Sequence, residues 1–259
     1  MKKVARDKEI KKIKDTEEKE KATNREQGLV HQIIWYMIIF SILGLIVETV
    51  FGYIKNGVIE SRKGLIIGPF CPIYGVGAVI MILILGKYKG HPIKLFVYGA
   101  LLGNFIEYLI SFILEAMYGS RFWSYTYFLN LNGRVCLLYG AFWGILAVVL
   151  IDLLKPQVDK IIYKIKGKSR KILDIILTIF FLADVLLTIW ALHVYRARAR
   201  DVYYDVKVFE EKNAFEEVGD KVFTNSLMGA IFPNLRLINE KGEEIWITDI
   251  LSDQKSWLF

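Results

Sequence analysis

The chain has few of the residues that build metal centres and nucleophilic sites. It contains two cysteines and three histidines in 259 residues, and the histidines stand apart at positions 31, 91 and 193. That spacing lacks the i, i+4 pairing of a helical zinc site. Neither a P-loop nor a Gly-x-Ser-x-Gly elbow occurs. We therefore expect no metal, no cofactor, no ATP hydrolysis and no enzymatic activity in the chain itself.

Charged residues are also scarce over long stretches, although the chain carries a formal net charge of +7. Lipid requires about 20 mainly apolar residues for a helix to cross its core, and helix is the open-chain structure that satisfies its own backbone there. Five stretches meet this need, at 32–54, 65–86, 93–118, 135–154 and 172–195. The sequence thus predicts an all-α polytopic membrane protein with about five transmembrane helices in a domain spanning 30–195.

The two ends of the chain have different compositions from this domain. Residues 1–28 hold ten Lys/Arg and seven Asp/Glu without the apolar core of a secretory leader. We expect residues 1–29 to form a charged cytoplasmic segment. Residues 196–259 have a mixed composition and predict a small water-exposed tail. Apolar and polar residues alternate over 235–239 and 244–248 around a Glu-Lys-Gly sequence, which indicates a β-hairpin.

The distribution of Lys and Arg predicts orientation and partners. With five spans, the amino-terminal segment and the second and fourth loops share one face with 20 basic residues, against 14 on the other. The positive-inside rule places the amino terminus in the cytoplasm and the tail outside the cell. The arginines at 196, 198 and 200 favour the opposite side for the tail, and a re-entrant segment at 69–72 would reverse the parity. Basic loops of this kind suit a lipid bilayer, and no nucleic-acid-binding motif accompanies them. We expect a multi-pass protein of the plasma membrane that binds no nucleic acid.

Carboxylates inside the predicted spans are the strongest functional signal, because an unpaired charge in lipid is costly. Two helical faces carry polar or small residues at the same offsets of 0, 3, 7 and 11. The first consists of Ser41, Gly44, Glu48 and Gly52, and the second of Asn104, Glu107, Ser111 and Glu115. The pattern predicts either helices that pack on each other or a shared polar route for a substrate or ion. Arg134, at the start of the fourth span, could neutralise Glu107 or Glu115, or lie at the interface with water.

A broken segment opens the second span. Its ten residues, GPFCPIYGVG, contain two prolines and three glycines within 68–77. Such backbone normally lies inside protein or lines a cavity, since lipid cannot satisfy it. We predict a gate or binding segment here, with a simple loop-to-helix junction as the alternative. The residues that carry this prediction are Gly68, Pro69, Cys71, Pro72, Tyr74 and Gly75.

Two further features concern packing. The two cysteines, Cys71 and Cys136, start the second and fourth spans on one side of the membrane, so both a disulfide and two buried thiols stay open. Gly140 and Gly144 form a Gly-x-x-x-Gly pair, for which close helix packing is the natural explanation. Asp184 is a third acid inside a span, suited to pairing with a donor of a neighbouring helix.

These segments together resemble the CmpB-like family of bacterial membrane proteins, described as type IV ABC-transporter permeases. The residues that carry the resemblance lie between 34 and 236: FSILG (40–44) with Glu48, Lys63-Gly64, GPFCPIYGVGA (68–78), Glu107-Tyr108, Glu115, FWSY (122–125), NLNGRVCL (130–137), Phe142-Trp143-Gly144, the basic stretch 196–200 and Phe232-Pro233-Asn234. The family pattern has Trp at the position of Leu45, Asn-Arg-Gly where this chain has Arg62-Lys63-Gly64, and an acid at the position of Ser124. The last change removes a carboxylate available to Arg121 or Arg134.

The resemblance implies a permease subunit that moves a small solute with energy from a separate nucleotide-binding ATPase, for which the basic stretch 155–171 is a docking candidate. A second copy of the chain is a further partner left open. A membrane scaffold or regulatory protein, whose polar faces only hold helices together, is the first alternative. An intramembrane enzyme acting on a lipid substrate is the second.

Overall fold

The structure, a computed structural model, describes residues 28–126, 129–165, 167–205 and 214–252. The charged amino-terminal segment predicted for 1–29 therefore lies almost entirely outside the described residues. The membrane portion contains the helices α1 (Leu29–Asn56), α2 (Pro72–Leu85), α3 (Pro92–Tyr118), α4 (Leu137–Val148), α5 (Lys155–Ile162) and α6 (Gly167–Tyr204), with a 3₁₀ turn at Gly86–Tyr88 and a π-helical turn at Val149–Leu154.

Four helical stretches are long and apolar enough to cross a membrane in the part of the chain that the structure describes. They are Leu29–Asn56, Pro92–Tyr118, Leu137–Ile162 and Gly167–Tyr204, with mean hydropathies from 1.6 to 2.5. Pro72–Tyr88 is a shorter apolar helix between the first and the second of them. Their outward faces carry large apolar side chains such as Ile46, Phe105 and Leu186, each more than half exposed, as lipid contact requires. The prediction of an all-α membrane protein with about five spans is confirmed.

The sequence dictates several helix ends. Pro72 and Pro92 occupy the first positions of α2 and α3, where a missing N–H costs nothing. Gly57 and Gly119 end α1 and α3 in the left-handed conformation, with φ of 71° and 55°.

Three predicted spans differ from the structure in one or both of their bounds. The second helix begins at Pro72 instead of 65, because 65–71 is irregular backbone. The fourth helix starts two residues late, since Val135–Cys136 is a strand, and it runs on through the π-helical turn to Ile162. Pro156 lies just beyond that turn and removes a backbone donor, which favours the wider winding. Much of the predicted basic loop 155–171 is therefore helical. The fifth helix extends from Gly167 to Tyr204, about 57 Å.

Small residues let the helices approach closely. A side chain at Gly44 would overlap Tyr74 of α2, and one at Gly75 would overlap Ser41 and the Met37 carbonyl of α1. A Cβ at Gly144 would lie 2.7 Å from the carbonyl oxygen of Phe96 in α3. The Gly-x-x-x-Gly pair thus packs α4 on α3, as its spacing predicts. The core of the bundle consists of Tyr36, Phe40, Met81, Leu85, Leu95, Trp143, Ala147, Ile151 and Ile162 with their neighbours.

Polar contacts close the amino-terminal end of the bundle. His31 Nδ1 lies 2.7 Å from Asp174 Oδ1, and Trp35 Nε1 donates to the same oxygen at 2.9 Å. Asp159 of α5 accepts from the Tyr36 hydroxyl and from Lys155 Nζ, the latter at 2.7 Å. These contacts connect α1 to α5 and α6.

The carboxyl-terminal tail forms a small layer at the opposite end of the bundle. It contains α7 (Ala214–Val222), α8 (Asn225–Ile231), strands β4 (Arg236–Ile238) and β5 (Glu244–Trp246), and α9 (Ile247–Ser252). The predicted hairpin is confirmed, although Ile247 and Thr248 begin α9 instead of extending the second strand.

This layer is attached to the bundle by a strand. β1 (Ser120–Arg121), directly after α3, pairs antiparallel with β4, while β2 (Asn130–Leu131) and β3 (Val135–Cys136) form a separate hairpin. A second core of Tyr118, Tyr195, Ala199, Phe223, Met228, Phe232, Leu237 and Ile247 holds the tail on the last turns of α6. The tail therefore shares one face with the segments 57–71, 119–126 and 129–136.

Candidate functional site

The broken segment before α2 enters the bundle and is held there by side chains of α6. Asp184 is fully buried, and its carboxylate accepts from the backbone N–H of Ile67 at 3.0 Å and of Gly68 at 3.2 Å. Thr188, one turn further, accepts from the N–H of Ile66 at 3.1 Å. The third acid thus pairs with a neighbouring segment's donors, as its position suggested, and these donors are backbone amides.

Other contacts of the segment come from α1 and from its own turn. The N–H of Cys71 donates to the Ser41 carbonyl at 3.0 Å, and the N–H of Gly64 donates to the Phe70 carbonyl at 2.8 Å. Phe70 packs edge-on against Phe180 and Phe181 of α6. Irregular backbone at this depth is thus satisfied by protein, as apolar surroundings demand.

A cavity of about 710 Å³ lies between this segment, the helices and the tail. Glu48, Cys71, Pro72, Tyr74 and Glu107 belong to its wall. Phe232, Pro233, Asn234 and Arg236 of the tail line it as well. The volume is within the range of sites for small molecules. It joins residues from six parts of the chain that lie apart in sequence, within 48–56, 61–76, 107–125, 139–143, 185–192 and 231–246.

Two carboxylates occupy the inner part of the cavity wall. Glu107 is 5% exposed and accepts from the Tyr125 hydroxyl at 2.6 Å and from Trp143 Nε1 at 2.9 Å. Glu48 accepts from the Tyr74 hydroxyl at 2.5 Å. Burial raises the pKa of Tyr125, which lies in the loop after α3, and its bond to Glu107 raises it further. Tyr125 therefore stays a neutral donor. The hydrogen-bond donors to the two acids are therefore neutral groups, and none of them supplies a positive charge.

The other predicted site residues are elsewhere. Asn104 packs against Gly140 of α4, and its Oδ1 has no partner among the described residues. Ser111 Oγ accepts from Arg134 Nη1 at 3.3 Å. Glu115 Oε2 lies 2.6 Å from Arg134 Nη1 and 2.6 Å from Arg121 Nε. Of the second polar face, only Glu107 is part of the cavity wall described above; Ser111 and Glu115 belong to an ion-pair network.

That network extends to the tail. Arg121 Nη1 lies 2.9 Å from Glu244 Oε1, and Arg236 Nη1 lies 3.0 Å from Glu244 Oε2. Burial alone would lower the pKa of Arg121, but the carboxylates of Glu115 and Glu244 raise it above its ordinary value. Of the two acids open to Arg134 in the sequence, the structure selects Glu115. The absence of an acid at position 124 leaves neither Arg121 nor Arg134 unpaired.

The broken segment's predicted residues fall into two groups. Cys71, Pro72 and Tyr74 line the cavity, whereas Gly68 binds Asp184 and Gly75 packs on α1. Pro69 is exposed at the surface of the bundle. Cys71 and Cys136 are both buried free thiols. Within the described ranges, no group of three or more His, Cys, Asp or Glu residues is arranged to hold a metal ion.

The aromatic residues around the two acids were not among the predicted site residues, apart from Tyr74. Tyr125 and Trp143 donate to Glu107, and Tyr139 stacks on Tyr125 with ring centroids 4.5 Å apart. The motifs FWSY and Phe142-Trp143-Gly144 contain Tyr125 and Trp143, so they were the available signal. Aromatic residues in spans are too common to be assigned to a site from sequence alone.

Comparison with known protein families adds one match. The model of a family described as "Putative ABC-transporter type IV" (ABC_trans_CmpB) matches residues 35–189, more than half of the chain. The chain belongs to this family. No curated protein matches the chain. No solved structure matches it.

The family match covers the helical part of the site. Glu48, Glu107, the broken segment and Asp184 all lie within the matched residues. The tail residues of the cavity wall lie beyond residue 189, as do two stretches that carry the resemblance noted from the sequence, 196–200 and 232–234. The membrane cavity is thus built on the family's own region, and its tail-side wall comes from residues outside that region.

Proposed function

We propose that this chain is the permease subunit of an ABC-type transporter and takes a small solute into the cavity. The cavity itself carries the proposal, because it places Glu48 and Glu107 inside a helical bundle whose outward faces suit lipid. Acids at such depth are characteristic of substrate and ion pathways. The chain has no P-loop, so energy must come from a separate ATPase subunit.

The proposed orientation places the amino terminus in the cytoplasm and the tail outside the cell, in the plasma membrane. The cavity then faces the tail side, and the ATPase binds the opposite end of the bundle, where α5 presents Lys155 and Lys160. The basic charge of 155–171 serves such docking or the attraction of anionic lipid. A second copy of the chain is a further proposed partner.

Affinity capture tests this proposal without knowledge of the substrate. The tagged full-length chain is extracted from native membranes in a mild detergent, and its partners are quantified by mass spectrometry against an untagged control. Stoichiometric recovery of a nucleotide-binding subunit is the expected result. Recovery of the chain alone, or with an unrelated membrane protein, overturns the permease assignment. The molecular mass of the purified particle reports whether two copies are present.

A matched pair of variants then ties the cavity to transport. Val76 lines the cavity from α2, whereas Ile84 of the same helix is half exposed on the outside of the bundle. In lipid nanodiscs, Val76→Trp should abolish the effect of the solute on the rate of ATP hydrolysis by the captured complex. Ile84→Trp should leave that effect intact. Equal behaviour of the two variants would show that the cavity is not the solute site.

A scaffold or regulatory protein is the second candidate. Its support is the use of Ser41, Gly44, Ser111 and Glu115 in contacts between neighbouring segments, which accounts for half of the two polar faces without any solute. In that case Glu107→Gln changes the captured partner or the melting temperature and has no effect on ATP hydrolysis. We further propose that the chain is not an enzyme, so turnover of a purified lipid that depends on Glu48 or Glu107 would contradict this.

A further inference from the structure

The inner part of the cavity is walled by aromatic rings. Six of its lining residues form contacting pairs: Phe51, Tyr74, Tyr125, Tyr139, Phe142 and Trp143. Ring centroids are 5.5 Å apart for Tyr74 and Trp143, and 5.9 Å for Phe51 with both Tyr139 and Phe142. The faces of such rings carry negative electrostatic potential and attract cations. Glu48 and Glu107 lie within this wall and add two carboxylates to it.

Neither acid is compensated by a basic side chain in the described part of the chain. The recorded donors to Glu48 and Glu107 are the neutral groups of Tyr74, Tyr125 and Trp143. Glu115, two turns further along α3 from Glu107, has both Arg121 and Arg134. Hydrogen bonds orient a buried carboxylate, but only a cation or a proton removes its charge. The inner cavity thus offers a cation two carboxylates that have no basic partner among the described residues.

The tail-side part of the cavity has the opposite charge. Its lining includes four basic residues: Lys55, Arg62, Lys63 and Arg236. Glu48, Gly52 and Lys55 follow one another on one face of α1, and the Arg62 guanidinium lies against Gly52. Along the helix axis, Lys55 is about 10 Å from Glu48. The cavity is therefore acidic and aromatic inside and lined by basic side chains where the tail covers it. Of these, Arg62 also pairs with Glu60 and Arg236 with Glu244.

We propose that the cavity binds a zwitterion, with its ammonium group beside Glu48 and Glu107 among the aromatic rings and its phosphate or carboxylate at the basic side. A simple cation gains nothing from the basic residues, and a simple anion is repelled by the two acids. A dipolar ligand satisfies both ends at once. This inference rests on the proposed use of the cavity as the solute site, and it names the substrate class.

Equilibrium binding to the purified full-length chain tests the inference. The probes are radiolabelled phosphoethanolamine and glycine, compared with ethanolamine and inorganic phosphate, which carry one charge type each. The zwitterion that fits should bind about tenfold more tightly than either single-charge compound, since each charged end contributes. Binding of ethanolamine with equal affinity overturns the proposal, as does binding of neither zwitterion by protein that also retains no lipid with an ethanolamine-phosphate head group.

Variants locate the bound ligand. Glu107→Gln keeps the size of the side chain and should weaken zwitterion binding about tenfold, as should Lys63→Gln at the other end. Glu217→Gln, at an exposed position of the tail that does not line the cavity, removes one charge and should have no effect. Unchanged binding in Glu107→Gln overturns the proposal. Should that variant not fold, Val76→Trp fills the cavity without changing its charges and must abolish binding.

Two sources of the same chemistry are separated by native mass spectrometry of the protein taken from its own membranes. A retained lipid with an ethanolamine-phosphate head group, lost in Val76→Trp, assigns the site to a lipid head group. Binding of soluble phosphoethanolamine or glycine without retained lipid assigns it to a free solute. Neither measurement needs an ATPase. Zwitterion binding by a chain that has no ATPase partner therefore contradicts the permease assignment but not this inference. An ATPase partner without zwitterion binding contradicts this inference but not the permease assignment.

Discussion

Asp184 of α6 holds the backbone of Gly68, its Oδ2 lying 3.2 Å from the amide nitrogen within a fully buried site. The same carboxylate accepts from the neighbouring amide of Ile67. Two backbone amides of the broken segment therefore depend on one side chain of a distant helix. The segment's position is fixed by hydrogen bonds from outside it, and not by its own secondary structure.

Loss of this acceptor should destabilise the protein strongly. Asp184→Ala leaves both amides unsatisfied, at about 1–3 kcal/mol for each, and should lower the melting temperature of the detergent-solubilised protein. Asp184→Asn retains one carbonyl acceptor and should lower it less. Glu217→Gln serves as the control for a single lost charge. If Asp184→Ala melts with the unaltered protein, the segment is held by other contacts.

The close approach of α1 and α2 should not tolerate a methyl group at Gly75. Gly75→Ala forces the Cβ into Ser41 and the Met37 carbonyl, so that the two helices must separate and the melting temperature falls. Gly86→Ala is the matched control, because Gly86 has φ of −55° and nothing within 4 Å of the added carbon. This control should be neutral or slightly stabilising. Equal effects of the two substitutions would contradict the packing of α1 on α2.

Glu115 connects the end of α3 to two arginines, one of them buried. Arg134 is 7% exposed, so Glu115→Ala leaves a guanidinium without its carboxylate. Breaking a buried pair costs about 3–5 kcal/mol, and partial exposure of Glu115 places the expected loss near the lower end. Glu115→Ala with Arg134→Leu should recover part of it. A double variant that is less stable than Glu115→Ala would argue against the pair.

The contact between Arg121 and Glu244 should show little dependence on alkaline pH. The folded protein raises the pKa of Arg121, so the stability from its pairs is complete below the unfolded-state pKa and is lost only as pH rises through the folded value. Protection of the tail against proteolysis should therefore stay constant from neutral pH to about pH 10. Loss of protection in that range would indicate that another group controls docking. Arg121→Gln supplies the unprotected reference.

Tail docking should depend on the aromatic contact between Phe232 and Phe122, whose ring centroids are 6.1 Å apart. Phe232 is 3% exposed, and Phe232→Ala removes a buried ring at a cost of about 3–5 kcal/mol. We expect faster cleavage of the tail by added protease, with the helical bundle intact. Leu227→Ala, at a half-exposed position of α8, is the control. Equal cleavage rates would show that the tail is held mainly by its strand pairing.

The spans and the hairpin could be predicted from sequence because their signals are local. Hydropathy over about 20 residues identified the helices, and alternation over ten residues identified β4 and β5. The broken segment could be recognised from its prolines, but its partners could not, because Asp184 is 116 positions away from Gly68. Likewise, the pairing of Arg121 with Glu244 joins residues 123 positions apart.

The candidate site was predicted in part for a related reason. Helical periodicity places Glu107, Ser111 and Glu115 on one face of α3, but it does not say which neighbour each of them meets along that face. Glu107 meets the rings of the cavity, and Glu115 meets arginines of the following loop. The span length needed to cross a membrane also does not predict the π-helical turn after α4. Nor does it predict that α6 continues to Tyr204.

One unbroken helix carries both attachments of the cavity. α6 supplies Asp184 and Thr188 to the broken segment, and a few turns later Tyr195 and Ala199 to the core of the tail. Because α6 is one continuous helix, we expect a tilt at its tail end to displace the amides of Ile67 and Gly68. The tail and the inner wall of the cavity are thereby mechanically linked through α6. We expect a partner that binds the tail to move the cavity wall as well.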